Sequence, residues 1–262
     1  MHRLTMPRQR LRNLIQKQPA ATPYLPLVHT TDVYRMTNVL EDGVLEPREC
    51  DVFKGEPLLY FFYGRPSYRI NSNEGATGLD HYLPVCILFR SNAVAPIKRI
   101  FPFDSGGFHR ALYADAFHKD MRLDDFGLEP NTDTPGRVIS LFFESADAYL
   151  RARSAPAVSL DPSELEAKSY LALISQRLSN TMDNRVSGIE LQFEGPLAID
   201  GAIEAIILPD TLYCSPFIQS KLTRSKIEAL PYPQIDRQRP SEYVTKIFDL
   251  CFEYYRRSGL MK

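Results

Sequence analysis

The sequence predicts an α+β fold, and three observations carry that prediction. The strand-like runs are short and of mixed character, the helical runs do not alternate with them in a βαβ rhythm, and neither G-x-G-x-x-G nor G-x-x-x-x-G-K-[ST] occurs. With 262 residues the chain can bury a sizeable core, so residues 1–262 are read as a single domain carrying insertions. Twenty prolines against thirteen glycines point to ordered, irregular connections between the elements.

Residues 1–20 form a basic arm in which Arg3, Arg8, Arg10, Arg12 and Lys17 precede the first acid, Asp32. The pattern reads as a solvated or frayed helix, with a phosphate-contacting arm as its alternative and a mitochondrial presequence as a third reading that its poor serine content and lack of a cleavage pattern disfavour. A first strand is predicted over residues 25–28, ending at His29 and Thr30. Thr31 then caps a helix whose apolar stripe is Val33, Met36, Val39 and Leu40, and Gly43 stands where a left-handed stop belongs. A short VLEP strand and the run LLYFFY follow, and residues 85–89 are continuously apolar, as suits a central strand covered on both faces.

A loop reading IFPFDSGGFHR precedes the helix-like ALYADAF. Residues 121–180 read as a helical insertion. It closes on a helix started by Asp161, Pro162 and Glu164, with the stripe Leu165, Leu171, Ile174 and Leu178 running to about Asn180. The strands GIELQF and AIEAIILP come next, joined by GPLAIDG. Ile189, Leu191 and Phe193 alternate with Glu190, Gln192 and Glu194, which predicts one buried face and one polar face. A helix over 241–258, broadly apolar through Tyr243, Ile247, Phe248, Cys251, Tyr254 and Tyr255, packs on the sheet.

A net charge of −1 excludes a molecule that is globally attracted to nucleic acid or anionic membrane, so any such binding is local. No run approaches the roughly 20 apolar residues that span a bilayer, and no signal-peptide core is present, so a cytoplasmic protein without a membrane partner is expected. Cys50, Cys86, Cys214 and Cys251 lie far apart and the five histidines, His2 among them, are scattered. Reduced, structural thiols and no metal site are expected.

The stretch EPLLYFFYGRPSYRI carries a strand into two guanidinium groups and several tyrosines. Arg65, before a proline, offers a planar fork suited to phosphate or carboxylate, and Arg69 could do the same. Tyr60, Tyr63 and Tyr68 offer flat surfaces and hydroxyls. Each has a plainer alternative: an arginine paired with an acid, and tyrosines half in the core. His29 and Thr30 would share a crevice with Arg65 if they face the same sheet edge; otherwise they satisfy local backbone. Glu190, on a strand, can bind a sugar hydroxyl and stabilise positive charge as a glycosidic bond breaks; Glu194 and Glu204 are the other candidate acids, and all three could instead be solvent-facing strand acids.

Together a histidine-ended first strand, YFFYGRPSYR, FPFDSGGF before a helix, and a late acid in RVSGIELQF resemble the DarT-type, DNA-targeting ADP-ribosyltransferase toxins. The chain departs from that pattern at Tyr68, which falls one place early, at the 103–107 loop, and in the 121–180 insertion. The resemblance implies an ADP-ribosyltransferase-like split, mixed or antiparallel sheet with flanking helices. It further implies NAD+ as donor substrate and a nucleic-acid acceptor, and a toxin of this kind implies a neutralising antitoxin protein. By carry-over His29 and Thr30 lie at the nicotinamide ribose, Arg65 at the pyrophosphate or reacting centre, and one of Tyr60, Tyr63 or Tyr68 on nicotinamide. Glu190 takes the catalytic role. This reading requires His29, Arg65 and Glu190 to converge in one crevice.

Three alternatives stand beside it. One is an NAD+ glycohydrolase, and another is a non-catalytic module that senses a nucleotide at Arg65–Tyr68. The last is a metal-dependent nuclease using Asp80, Asp104, Glu190 and Gln192, which ranks lowest because Gln192 stands where a catalytic lysine is wanted.

Overall fold

A computed structural model describes residues 6–68, 75–76, 78–94, 96–175, 184–236 and 238–262. His2, Arg3, Arg69, Leu178 and Asn180 lie outside the described residues. The fold is mixed α+β, with a seven-stranded mixed sheet and nine helices among the described residues.

The chain starts on α1 (Arg10–Gln16), then runs through β1 (Leu27–Asp32), α2 (Val33–Asp42), β2 (Val44–Leu45), β3 (Leu59–Tyr63), β4 (Pro84–Phe89) and β5 (Arg99–Phe101). The short α3 (Ser105–His109) leads to α4 (Thr134–Phe142), α5 (Ala146–Leu150) and α6 (Leu165–Ser175). After these come β6 (Glu190–Phe193), β7 (Leu197–Ala198), β8 (Ile203–Pro209), α7 (Asp210–Tyr213), α8 (Pro216–Arg224), β9 (Glu228–Tyr232) and α9 (Val244–Arg257).

The large sheet has the order β5-β6-β3-β1-β4-β8-β9. Every pairing in it is antiparallel except β8 with β9, where α7 and α8 supply the crossover that a parallel pair needs. β2 and β7 form a separate pair. All six residues of β4 are buried, as its apolar run predicts for an interior strand. Gly43 ends α2 at φ 72, the left-handed stop read from the sequence.

Several expectations are corrected. β1 begins two residues later and runs through His29 and Thr30 to Asp32, which caps α2 by accepting from Arg35 N at 2.9 Å, in place of Thr31. A carboxylate at the strand end reaches the orphan helix N–H groups, so the cap moves one residue on. Ser105–His109 is helical inside the expected loop, while residues 110–116 turn instead of forming a helix. α6 starts at Leu165. In the turn before it Asp161 N donates to Glu164 Oε2 and Ser163 N to Asp161 Oδ1, and the buried face is Glu166, Ala167, Tyr170, Leu173 and Ile174.

The basic arm is not a free helix. Leu11 and Ile15 of α1 are buried, and Arg10 pairs with the buried Glu166 through Nη2–Oε1 at 2.6 Å and Nε–Oε2 at 2.8 Å. Arg12 Nε donates to Gly127 O. Acids and a carbonyl of the 121–180 segment thus hold Arg10 and Arg12 of the arm. At the other end a short 3-10 turn, Pro240–Tyr243, precedes α9, whose Ile247, Cys251 and Tyr255 are buried against the sheet as expected. No helix among the described residues is long and apolar enough to cross a membrane.

Candidate active site

β1 and β3 pair only at Leu27–Tyr63 and Val28–Phe62. Beyond that the strands part, and residues 29–31 form an open edge. A cleft of about 270 Å³ occupies the split, lined by His29, Thr30 and Tyr60 with Arg35 and Asn38 of α2 and Arg48. His29 Nδ1 lies 3.0 Å from Tyr60 O. A carbonyl only accepts, so Nδ1 carries the proton and Nε2 keeps a lone pair. Burial holds the imidazole below its usual range, so the neutral form is favoured. Thr30 Oγ1 donates to Ser67 O at 2.9 Å.

Glu190 stands on the neighbouring strand. The register Tyr60↔Gln192 and Phe62↔Glu190 puts these four side chains on one face of the sheet. The sequence predicts a polar, solvent-facing row here. Glu190 and Gln192 are in fact 1% and 0% exposed, and only Glu194 reaches solvent, where it pairs with Lys98. The reason is the 103–107 loop, which lies over that face. Ser105 ties the loop to that face through its bonds to Glu190, and Gly107 lets the Tyr113 ring pack against the loop, since a Cβ there would collide with it.

Glu190 Oε1 accepts from Ser105 Oγ at 2.7 Å and from Gln192 Nε2 at 2.7 Å, and Oε2 accepts from Ser105 N at 3.1 Å. These bonds favour the carboxylate, but burial and the nearby Asp104 charge outweigh them. The Glu190 pKa is pushed up to about 8. Asp104 pairs with Arg185 at 2.8 Å and accepts from Gly106 N at 3.1 Å.

Above this group lies a cleft of about 600 Å³, lined by Asp104, Ser105, Arg185, Arg110, His109 and Tyr60 among others. Tyr60 therefore borders both clefts, and its hydroxyl shares a 2.7 Å hydrogen bond with Cys50 Sγ. Among the described residues no group of three or more His, Cys, Asp or Glu is placed to hold a metal ion. Asp80 is bound by Gln234 Nε2 after β9, at the opposite end of the sheet from β6. It does not join Asp104 and Glu190.

The expected single crevice is not formed. By strand alternation His29 turns toward Phe61, with ring centroids 5.6 Å apart, while Glu190 shares the other face with Tyr60. Arg65 lines neither cleft. It is 3% exposed, donates to Ser187 Oγ and stacks its guanidinium 5.7 Å from the Tyr149 ring centre. Among the described residues no acid pairs with it, and it does not reach open solvent. Gly64 explains this path: with φ 66 and its Cα pressed against Leu25, it turns the chain inward before Arg65.

Tyr63 OH accepts from Leu25 N, and its ring borders an apolar cleft with Leu191 and Phe193 on the face away from Glu190. Tyr68 OH donates to Val85 O, beside a further polar cleft near Tyr82. Of the three candidate tyrosines, only Tyr60 adjoins Glu190. Of the other acids, Glu204 on β8 binds Tyr254 OH and Arg90. Sequence reasoning did not single out Ser105 or the cleft role of Arg110 and His109. The Asp-Ser-Gly-Gly run, a helix N-cap signature, would have placed the loop. No family model matches the chain, and no curated protein matches it.

Proposed function

We propose that the chain is an NAD+-consuming ADP-ribosyltransferase, a toxin or defence effector with a nucleic-acid acceptor, in which Glu190 is the catalytic carboxylate; the crevice joining His29, Arg65 and Glu190 that the resemblance required is absent, so the reading rests on Glu190 and the clefts beside it alone. One observation carries the reading: a strand-borne carboxylate, fixed by Ser105 and Gln192, lies beneath a cleft that meets the β1–β3 split at Tyr60. Two adjoining clefts suit a ligand of two lobes, and a dinucleotide is such a ligand.

Three protein donors leave one of the four lone-pair positions on Glu190, on Oε2, and because Glu190 is 1% exposed a ribose hydroxyl reaches it only when the covering 103–107 loop gives way on binding. Nicotinamide leaves as a neutral base while the ribosyl carbon gains positive charge, and Glu190 stabilises that charge in its ionised form, which predominates above about pH 8. Tyr60 presents the ring next to Glu190, and the Nε2 lone pair of His29 can accept a hydroxyl in the split. Arg65, enclosed beside Ser187, serves this reading by holding the approach to β6, in place of the pyrophosphate contact implied by the resemblance.

The test is incubation with NAD+ labelled on the ADP-ribose part, alone and with single-stranded DNA, RNA or lysate. Nicotinamide release and a labelled oligonucleotide are expected, both lost in Glu190→Gln. Nicotinamide released with no labelled acceptor assigns the site to NAD+ glycohydrolysis instead. Intact NAD+ under every condition overturns the reading and leaves a nucleotide-sensing module as its replacement.

A further inference from the structure

We infer that Asp104 is a second catalytic carboxylate, the base that takes the proton of the incoming acceptor. The inference rests on the ADP-ribosyl-transfer reading and deepens it. Transfer to any hydroxyl or N–H acceptor requires that proton to go somewhere. In the balanced step the bond from nicotinamide N1 to the ribosyl carbon breaks and its electron pair goes to the nicotinamide nitrogen. The acceptor atom bonds to the same carbon, and the acceptor's proton passes to the Asp104 carboxylate.

Glu190 is poorly placed for this second task. Three of its lone-pair positions are engaged by Ser105 and Gln192, it is 1% exposed, and it does not itself border the cleft. Asp104 does border the cleft, one residue before the serine that grips Glu190. Its Oδ1 is aimed by Gly106 N, and its Oδ2 is oriented by Arg185. Two carboxyl groups in one site, with different surroundings, divide acid–base work in many enzymes. The charge of Asp104 also helps raise the Glu190 pKa.

The measurement is steady-state release of nicotinamide and transfer of label by wild type, Asp104→Asn and Asp104→Ala, with thermal melting as a folding control. Asp104→Asn is expected to lower kcat by roughly 10²–10⁴-fold with KM for NAD+ within about threefold of wild type, as for a group that acts in the transition state. Formate is expected to restore part of the kcat of Asp104→Ala, because a small carboxylate can take the missing base's place. A merely structural role would not respond to formate. Should Asp104→Ala fail to fold, Asp104→Ser carries the rescue arm. The proposal is overturned if folded Asp104→Asn keeps kcat within threefold, or if formate restores nothing. A wild-type protein that never releases nicotinamide refutes the parent reading instead.

Discussion

Ser105 holds both oxygens of Glu190, its hydroxyl donating to Oε1 at 2.7 Å and its backbone N–H to Oε2 at 3.1 Å. One loop residue thus fixes the orientation of a carboxylate supplied by a strand 85 positions later in the chain. Ser105→Ala removes the hydroxyl and leaves the N–H. A hydrogen bond of this kind contributes ~0.5–1.5 kcal/mol net, so a fall in kcat of up to about tenfold is expected. Nicotinamide-release kinetics check it, and an unchanged kcat would remove Ser105 from the positioning role.

Glu190 also makes stability depend on pH in a defined direction. Its folded pKa, about 8, lies above the ordinary 4.5, so the fold favours the protonated acid. The contribution is fully present below pH 4.5 and is lost as pH rises through about 8. Glu190→Gln cannot ionise. Its stability relative to wild type should therefore climb between those two pH values and level off above, read from denaturant midpoints at pH 4, 6, 8 and 9. A flat difference across the series would contradict the buried-acid picture.

Arg65 yields a prediction that separates positioning from ligand contact. Its guanidinium is buried against Ser187 and Tyr149, and Nε has no hydrogen-bond partner among the described residues. Exchanging a buried charge for an apolar side chain of similar volume is often neutral or stabilising. Arg65→Met should fold, keep KM for NAD+ within about threefold and lower kcat through a loosened β6 entry. A KM rise of more than about tenfold would place the guanidinium on the dinucleotide.

The docked N-terminal helix supports the 121–180 segment. Glu166 is 1% exposed, and Arg10, which meets both its oxygens, is partly in solvent. Arg10→Ala leaves a buried carboxylate unpaired, at a cost of about 1–3 kcal/mol. Adding Glu166→Gln should recover part of that loss. Denaturant midpoints in a double-mutant cycle read the coupling, and simple additivity of the two changes would show that the pair acts independently.

Much of this molecule is legible along the chain. Apolar continuity marks β4, Gly43 marks the end of α2, and the apolar face of residues 243–255 marks the closing helix, because each depends on local periodicity or on one residue's backbone freedom. β5, β9, α7 and α8 were not read in advance: they are short, and their identity comes from neighbours that pair with or cover them. The candidate site is legible in its residue types. Glu190 and Tyr60 are conspicuous, but the alternation at 189–194 cannot reveal that a loop 85 residues earlier covers the polar face.

The sequence by itself determined the α+β class, the major strands, and the presence of an acid on β6 and an aromatic strand before Arg65. Only tertiary structure decided that Glu190 is enclosed, that Arg65 turns inward, and that His29 lines one cleft while Glu190 lies beneath another. The physical reason is that periodicity assigns a side chain to a face, whereas burial, charge and ligand access depend on what distant chain is laid against that face. Here that is the 103–107 loop over β6 and the inward turn at Gly64.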